Sequence, residues 1–179
     1  HEYYSIYDDK DDKDDKNNDY IDYIDNKINH FLKNYDNIIY LNNKSVLIED
    51  FLFSGTCLWC NPDTDPPPWF KISLKKDDVT LLNKKSIDYI NKVSSLNHPK
   101  HVIISHYPPL SIDVKNKKHD KHDKYEKYYK NNNILLKNMP KYWIFGHNHK
   151  NYFKKINNTI YISNQRKDKN YLNSYSIFL

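Results

Sequence analysis

Two short uncharged runs, Val102-Ile103-Ile104 and Tyr142-Trp143-Ile144-Phe145, constrain this chain more than any other part of it. Each is too short for a helix and too uniformly apolar for a strand with one wetted face. Runs of this kind are interior strands, buried on both faces. Both stop abruptly. The strand predicted over Val102–Ser105 ends at His106, because Pro108 and Pro109 cannot continue a hydrogen-bonded ladder. The strand over Tyr142–Phe145 ends at Gly146, and His147-Asn148-His149 follows. Interior strands need cover on each side, so the chain is expected to form an α/β domain with helices outside.

The surrounding periodicity fills in the elements. From Asn18 onward, Ile21, Ile24, Ile28, Phe31 or Leu32, and Tyr35 recur at helical spacing. Ile38–Leu41 and Ser45–Ile48 then read as strands, and a turn at Glu49-Asp50 leads into a third strand over Phe51–Leu58. Four prolines, Pro62 and Pro66 to Pro68, make 61–70 a loop. Asp77 or Asp78 is a suitable cap for a second helix, with Val79, Leu82, Ser86, Tyr89 or Ile90, and Val93 on its buried stripe. A further helix is expected within 122–138. A hairpin over Tyr152–Ile156 and Thr159–Ser163 turns at Asn157-Asn158, and the tail from Tyr171 reads as one more strand.

Composition matters mainly for what it removes from the argument. With 24 Asn, 27 Lys, one Arg and no Ala, single surface Lys and Asn residues carry little functional information. The net charge of +5 suits an anionic substrate and equally a solvated surface. Nucleic acid is not specifically indicated, since no arginine-rich stripe is present. No apolar run reaches the length of a membrane span. Two tracts, 8–17 and 115–133, are low-complexity insertions; the first repeats Asp-Asp-Lys and the second holds two successive His-Asp-Lys triplets. Cation binding by either tract is the alternative to plain solvation, which is the preferred reading. Cys57 and Cys60 could form a redox pair or half a zinc site, but no second pair exists to complete a ribbon. Packing at a strand end accounts for them. Sequons at Asn43 and Asn157 are expected by chance in so Asn-rich a chain.

His106 and His147 each stand just past the end of an interior strand. In open α/β sheets, sites form at that carboxyl edge. His147 and His149 are two apart, so in extended backbone they point the same way, and Gly146 permits close approach of the main chain. Neighbouring strands would bring three imidazoles together. Imidazole ligates zinc, iron, nickel and copper, and occurs also in manganese sites. A metal centre at His106, His147 and His149 is therefore the expectation.

These stretches carry a resemblance. Val102-Ile103-Ile104-Ser105-His106-Tyr107-Pro108 and Trp143-Ile144-Phe145-Gly146-His147-Asn148-His149 resemble the late motifs of the calcineurin-like metallophosphoesterases, in the family's order. Ser54-Gly55-Thr56-Cys57-Leu58-Trp59 resembles the Gly-x-x-Leu-Trp stretch of one bacterial-type branch. Ser163-Asn164-Gln165-Arg166 loosely resembles that branch's Asn-Pro-Arg, and His1-Glu2 looks like the end of Gly-Asn-His-Glu. The resemblance implies two packed mixed β-sheets flanked by helices in four layers, and a dinuclear centre of Mn, Fe or Zn that hydrolyses phosphoric esters. It implies that His106 and His147 ligate the second metal, that His149 ligates the first, and that His1 meets the substrate phosphate and assists the leaving group.

The family's Asp-x-His, Gly-Asp and Gly-Asn segments belong upstream of the histidine motifs, and no Asp-x-His or Gly-Asp precedes His106. The 179 residues are thus expected to be the C-terminal portion of a single phosphoesterase domain, inactive alone. The rival expectation is a non-catalytic relic of the same fold that binds phosphate or a protein. A third is a basic nucleic-acid-binding module using Lys and Tyr, with salt-sensitive affinity for any duplex.

Overall fold

The computed structural model describes residues 17–59, 76–109, 134–147 and 151–163. They form a mixed α/β arrangement of one six-stranded sheet and two helices. Helix α1 (Asn17–Leu32) comes first, then strands β1 (Lys44–Ile48) and β2 (Phe51–Thr56), helix α2 (Lys76–Ser94), and strands β3 (His101–Ser105), β4 (Tyr142–Phe145), β5 (Tyr152–Ile156) and β6 (Thr159–Ser163). The sheet order is β1-β2-β3-β4-β6-β5. The inner four strands run parallel to one another, and each flank is closed by an antiparallel hairpin. The apolar runs thus occupy the middle, where Ile103 lies between Ser54 and Trp143.

Alternation divides the side chains between two faces. On one, Leu58, Trp59, Ile103, Tyr107, Trp143, Phe145 and Tyr161 pack with Val79, Ile87 and Ile90 of α2. Full burial of such side chains is worth about 1.5–3 kcal/mol each. Trp143, 1% exposed, also satisfies its indole N–H on Ser105 Oγ at 2.9 Å. Asn83 of α2 donates from its amide to the carbonyl of Trp59, tying the helix to the loop after β2. Ser94 and Asn91 close the end of α2 onto 134–138, accepting from the N–H groups of Lys137 and Leu135.

The opposite face is built from Phe51, Val102, Tyr142 and Ile162, with Phe53, Ile144 and Ile160 beside them. No α2 residue belongs to this cluster. Ile104 is 37% exposed there and Phe153, opposite Ile162, is 59% exposed. The expectation that Val-Ile-Ile is buried on both sides therefore holds at Val102 and Ile103 and fails at Ile104.

Several boundaries differ from the sequence reading for identifiable reasons. Residues 38–41 form no strand; they cross over β2, where Leu41 lies directly against Gly55. Here Tyr40 Oη and Asn42 Nδ2 donate to the Asp25 carboxylate, at 2.7 and 2.9 Å, and hold α1 through the crossing segment. Phe31 and Tyr35 pack on each other at a tilt of 40° and stay exposed, whereas Ile24, Ile28 and Leu32 of the stripe are half-buried. Strand β2 stops at Thr56 because Leu58 adopts φ 53°, a left-handed conformation that cannot continue a ladder. Asp77 and Asp78 lie within the first turn of α2 instead of capping it. Residues 134–138 are not helical, and the rest of 122–138 lies outside the described residues, as do 8–16, 115–133, Cys60 and the tail from Tyr171. Asn17, assigned to the first insertion, opens α1. The hairpin turn at Asn157-Asn158 is as expected, with Asn157 at φ 52°.

Gly55 has a packing reason to be glycine. A Cβ there would run into the Leu41 side chain and stand 2.7 Å from the Leu41 carbonyl oxygen. Backbone must then move, so Gly55→Ala is expected to cost about 1–3 kcal/mol through overpacking. Thermal unfolding checks this: a melting temperature within a degree of the parent would mean that the crossing segment yields freely.

Candidate metal centre

The parallel strands β2, β3, β4 and β6 end side by side. Their carboxyl edge therefore carries Cys57, His106 and Gly146-His147 in that order, with β6 ending beside them at Ser163. The ladder runs past the strands themselves. The N–H of His106 donates to the Thr56 carbonyl at 3.3 Å, that of Tyr107 to Cys57 at 3.1 Å, and that of Gly146 to His106 at 3.0 Å. His106 is thus clamped between the main chains of its two neighbours. Thr56 anchors the adjoining loop: its hydroxyl donates to Asn43 Oδ1 at 2.6 Å and accepts from the Leu58 N–H at 3.2 Å. Cys57 is half-buried and packs against the α2-side core.

The two half-buried imidazoles meet. His106 Nε2 lies 2.9 Å from His147 Nδ1, with ring centroids 4.9 Å apart and planes at 70°. His147 reaches this position from φ 68°, not from the extended backbone assumed for Gly-His-Asn-His. Left-handed backbone costs a residue with a Cβ about 1–2 kcal/mol. The turn needed after β4 falls on His147, while Gly146 has no positive φ. Buried Tyr107 closes the group. Its ring centroid is 4.1 Å from that of His147 at 39° and 5.0 Å from that of His106 at 88°.

The donor set can be tested for fit. Two imidazole nitrogens on one tetrahedral zinc at about 2.0–2.1 Å stand about 3.3–3.4 Å apart. The His106–His147 separation of 2.9 Å is that of a hydrogen bond, in which one ring nitrogen donates its proton to the other. Neutral imidazole is a donor that zinc, iron and manganese accept, so the pair offers two donors of suitable chemistry to one ion, which would replace the shared proton once the rings turn toward it. Of the four site residues expected from sequence, the fold brings these two together. His1 and His149 lie outside the described residues. Among the described residues, no Cys, Asp, Glu or further His makes a set of three with them.

Two features escaped the sequence reading, one at this edge and one at the opposite end of β3. Tyr107 was visible only as the residue between a ligand and a proline. His101 was not singled out, although a histidine opening a wholly apolar strand signals a buried imidazole. It is 3% exposed, and burial, with the charge of His98 second, holds its pKa down at about 4. No family model matches the chain, and no curated protein matches it. No helix among the described residues is long and apolar enough to cross a membrane.

Proposed function

We propose that this chain is the C-terminal part of a calcineurin-like metallophosphoesterase domain that hydrolyses phosphomonoesters or phosphodiesters. The observation that carries the reading is the approach of His106 Nε2 to His147 Nδ1, 2.9 Å apart at the carboxyl edge of adjacent parallel strands. Both stand at the positions where the two late motifs resemble the family's.

The chemistry divides among the residues accordingly. Bound Mn, Fe or Zn in a dinuclear centre would polarise the phosphoryl oxygen and make water an effective nucleophile near neutral pH. His106 and His147 would hold one ion as neutral imidazoles, fixed by the main-chain clamp around His106. His149 would serve the other ion. His1, held near the phosphate, would pass a proton to the departing oxygen. That assistance is worth about 10²–10⁴-fold where the leaving group is poor.

The remaining ligands would come from an upstream segment carrying Asp-x-His, Gly-Asp and Gly-Asn. The same segment would supply a second sheet, packed on the face formed by Phe51, Val102, Tyr142 and Ile162. Face-to-face sheet packing buries apolar faces about 10 Å apart. It would cover Ile104 and Phe153 and complete the four-layer arrangement.

The direct test is hydrolysis of nitrophenyl phosphate and its diester by the full-length gene product with manganese. Turnover abolished by a chelator and restored by metal is expected, and residues 1–179 alone should show none. A full-length product without metal-dependent turnover, or without the upstream motifs, would leave a phosphate- or protein-binding relic of the fold instead.

A further inference from the structure

We propose that Tyr107 is a positioning residue of the metal centre: its ring, fixed by the sheet, sets the orientation of the His147 imidazole. The inference rests on the metallophosphoesterase reading for the identity of the centre and on packing for the rest.

Tyr107 is held from both sides. Its N–H donates to the Cys57 carbonyl at 3.1 Å. Its carbonyl accepts from Ser105 Oγ at 2.6 Å, and that oxygen accepts from Trp143 Nε1 at 2.9 Å. The ring is 3% exposed within the α2-side core and lies 6.2 Å from the Trp59 ring. Such a ring has little freedom to turn. His147 differs in each respect. It is half-buried, left-handed, and stands at the exit of β4. Of the described rings around it, His106 would itself be a ligand, so Tyr107 is the fixed wall on which the imidazole lies, 4.1 Å between centroids.

Contacting aromatic pairs gain about 0.5–1.5 kcal/mol beyond their buried area. That is comparable with the cost of left-handed backbone at His147. Removal of the ring should therefore let His147 leave the orientation in which its Nδ1 faces His106. The requirement is for an aromatic face, not for the phenol hydroxyl.

The test uses the full-length gene product, with manganese affinity read by paramagnetic resonance and the visible spectrum of the cobalt-substituted protein as a geometric readout. Tyr107→Leu is expected to weaken metal binding by about 10–100-fold, as losses of groups that orient ligands do, and to change the cobalt spectrum. Tyr107→Phe should restore both. His147→Ala is the control for the underlying reading: if it leaves affinity unchanged, the pair is not a metal site. If it abolishes binding while Tyr107→Leu binds normally with an unchanged spectrum, Tyr107 has only a packing role. Tyr107→Phe as weak as Tyr107→Leu would assign the effect to the hydroxyl and overturn the ring argument. Should the leucine variant fail to fold, histidine-labelled unsubstituted protein decides without metal. The Tyr107 ring current should shift the carbon-bound protons of His147 upfield, and unshifted resonances would overturn the proposal.

Discussion

Alanine at His147 or at His106 in the full-length gene product is expected to lower bound manganese, iron or zinc by more than about 100-fold, with loss of phosphoesterase turnover. Removing groups that merely orient a ligand costs about 10–100-fold, and a ligand itself should cost more. The two substitutions should not add. In the proposed centre His106 and His147, hydrogen-bonded at 2.9 Å, would hold the same ion, so loss of either would leave a single donor. A double variant no worse than either single one is the expected signature of residues that act as a unit. Alanine at His149 should act in the same direction. Both described side chains sit past the strand ends and are half-buried, so secondary structure should survive. Metal analysis by mass spectrometry with nitrophenyl ester kinetics checks the result, and full activity in any of the variants would remove that residue from the site.

The second large effect concerns acid stability and is independent of metal. His101 Nε2 is hydrogen-bonded to Ser54 Oγ at 2.9 Å, Ser54 to Ser45 Oγ at 2.8 Å, and Ser45 to Tyr89 Oη at 2.7 Å. This chain joins β3, β2, β1 and α2 beneath the sheet. Burial lowers the His101 pKa from 6.5 to about 4. The unfolded chain therefore binds a proton more readily than the folded one. Stability is complete above the unfolded value and declines as pH falls from 6.5 toward 4, below which this group adds no further loss. At about 1.4 kcal/mol per unit, the decline from pH 7 to 4.5 is about 2–3 kcal/mol. Urea unfolding at both pH values should find that increment in the parent protein and not in His101→Asn, which keeps a hydrogen-bonding amide. Equal pH dependence in the two would show that His101 is charged or solvated in the fold.

The middle of the sheet was legible because its physics is local to the sequence. Val102–Ile104 and Tyr142–Phe145 carry their own burial signal, and Asn157-Asn158 its own turn signal. The meeting of His106 and His147 was legible in outline, since strand ends in a parallel sheet share an edge. What failed depends on contacts distant in sequence. Ile38–Leu41 has strand-forming residues, yet the approach of Leu41 to Gly55 keeps it out of the ladder. Phe31 and Tyr35 fit a helical stripe, yet their exposure depends on what α1 faces, which spacing alone does not fix. The left-handed backbone at His147 was missed because the spacing of His147 and His149 implies extended backbone there, and residue type alone carries no sign of the turn.

The sheet topology also dictates an order of assembly. Both flanking hairpins close between neighbours in sequence, so they can form as soon as their own residues exist. The core pairs strands from remote parts of the chain, Ser54 with Ile103 and Ile103 with Trp143, and such contacts form slowly. During synthesis β2 must wait, with an unpaired edge, until β3 leaves the ribosome, and β3 must wait in turn for β4. His106 and His147 follow directly on those two strands. Their edge exists only when the sheet centre has closed, so a metal ion captured by the pair would reach a chain whose central pairing is already complete.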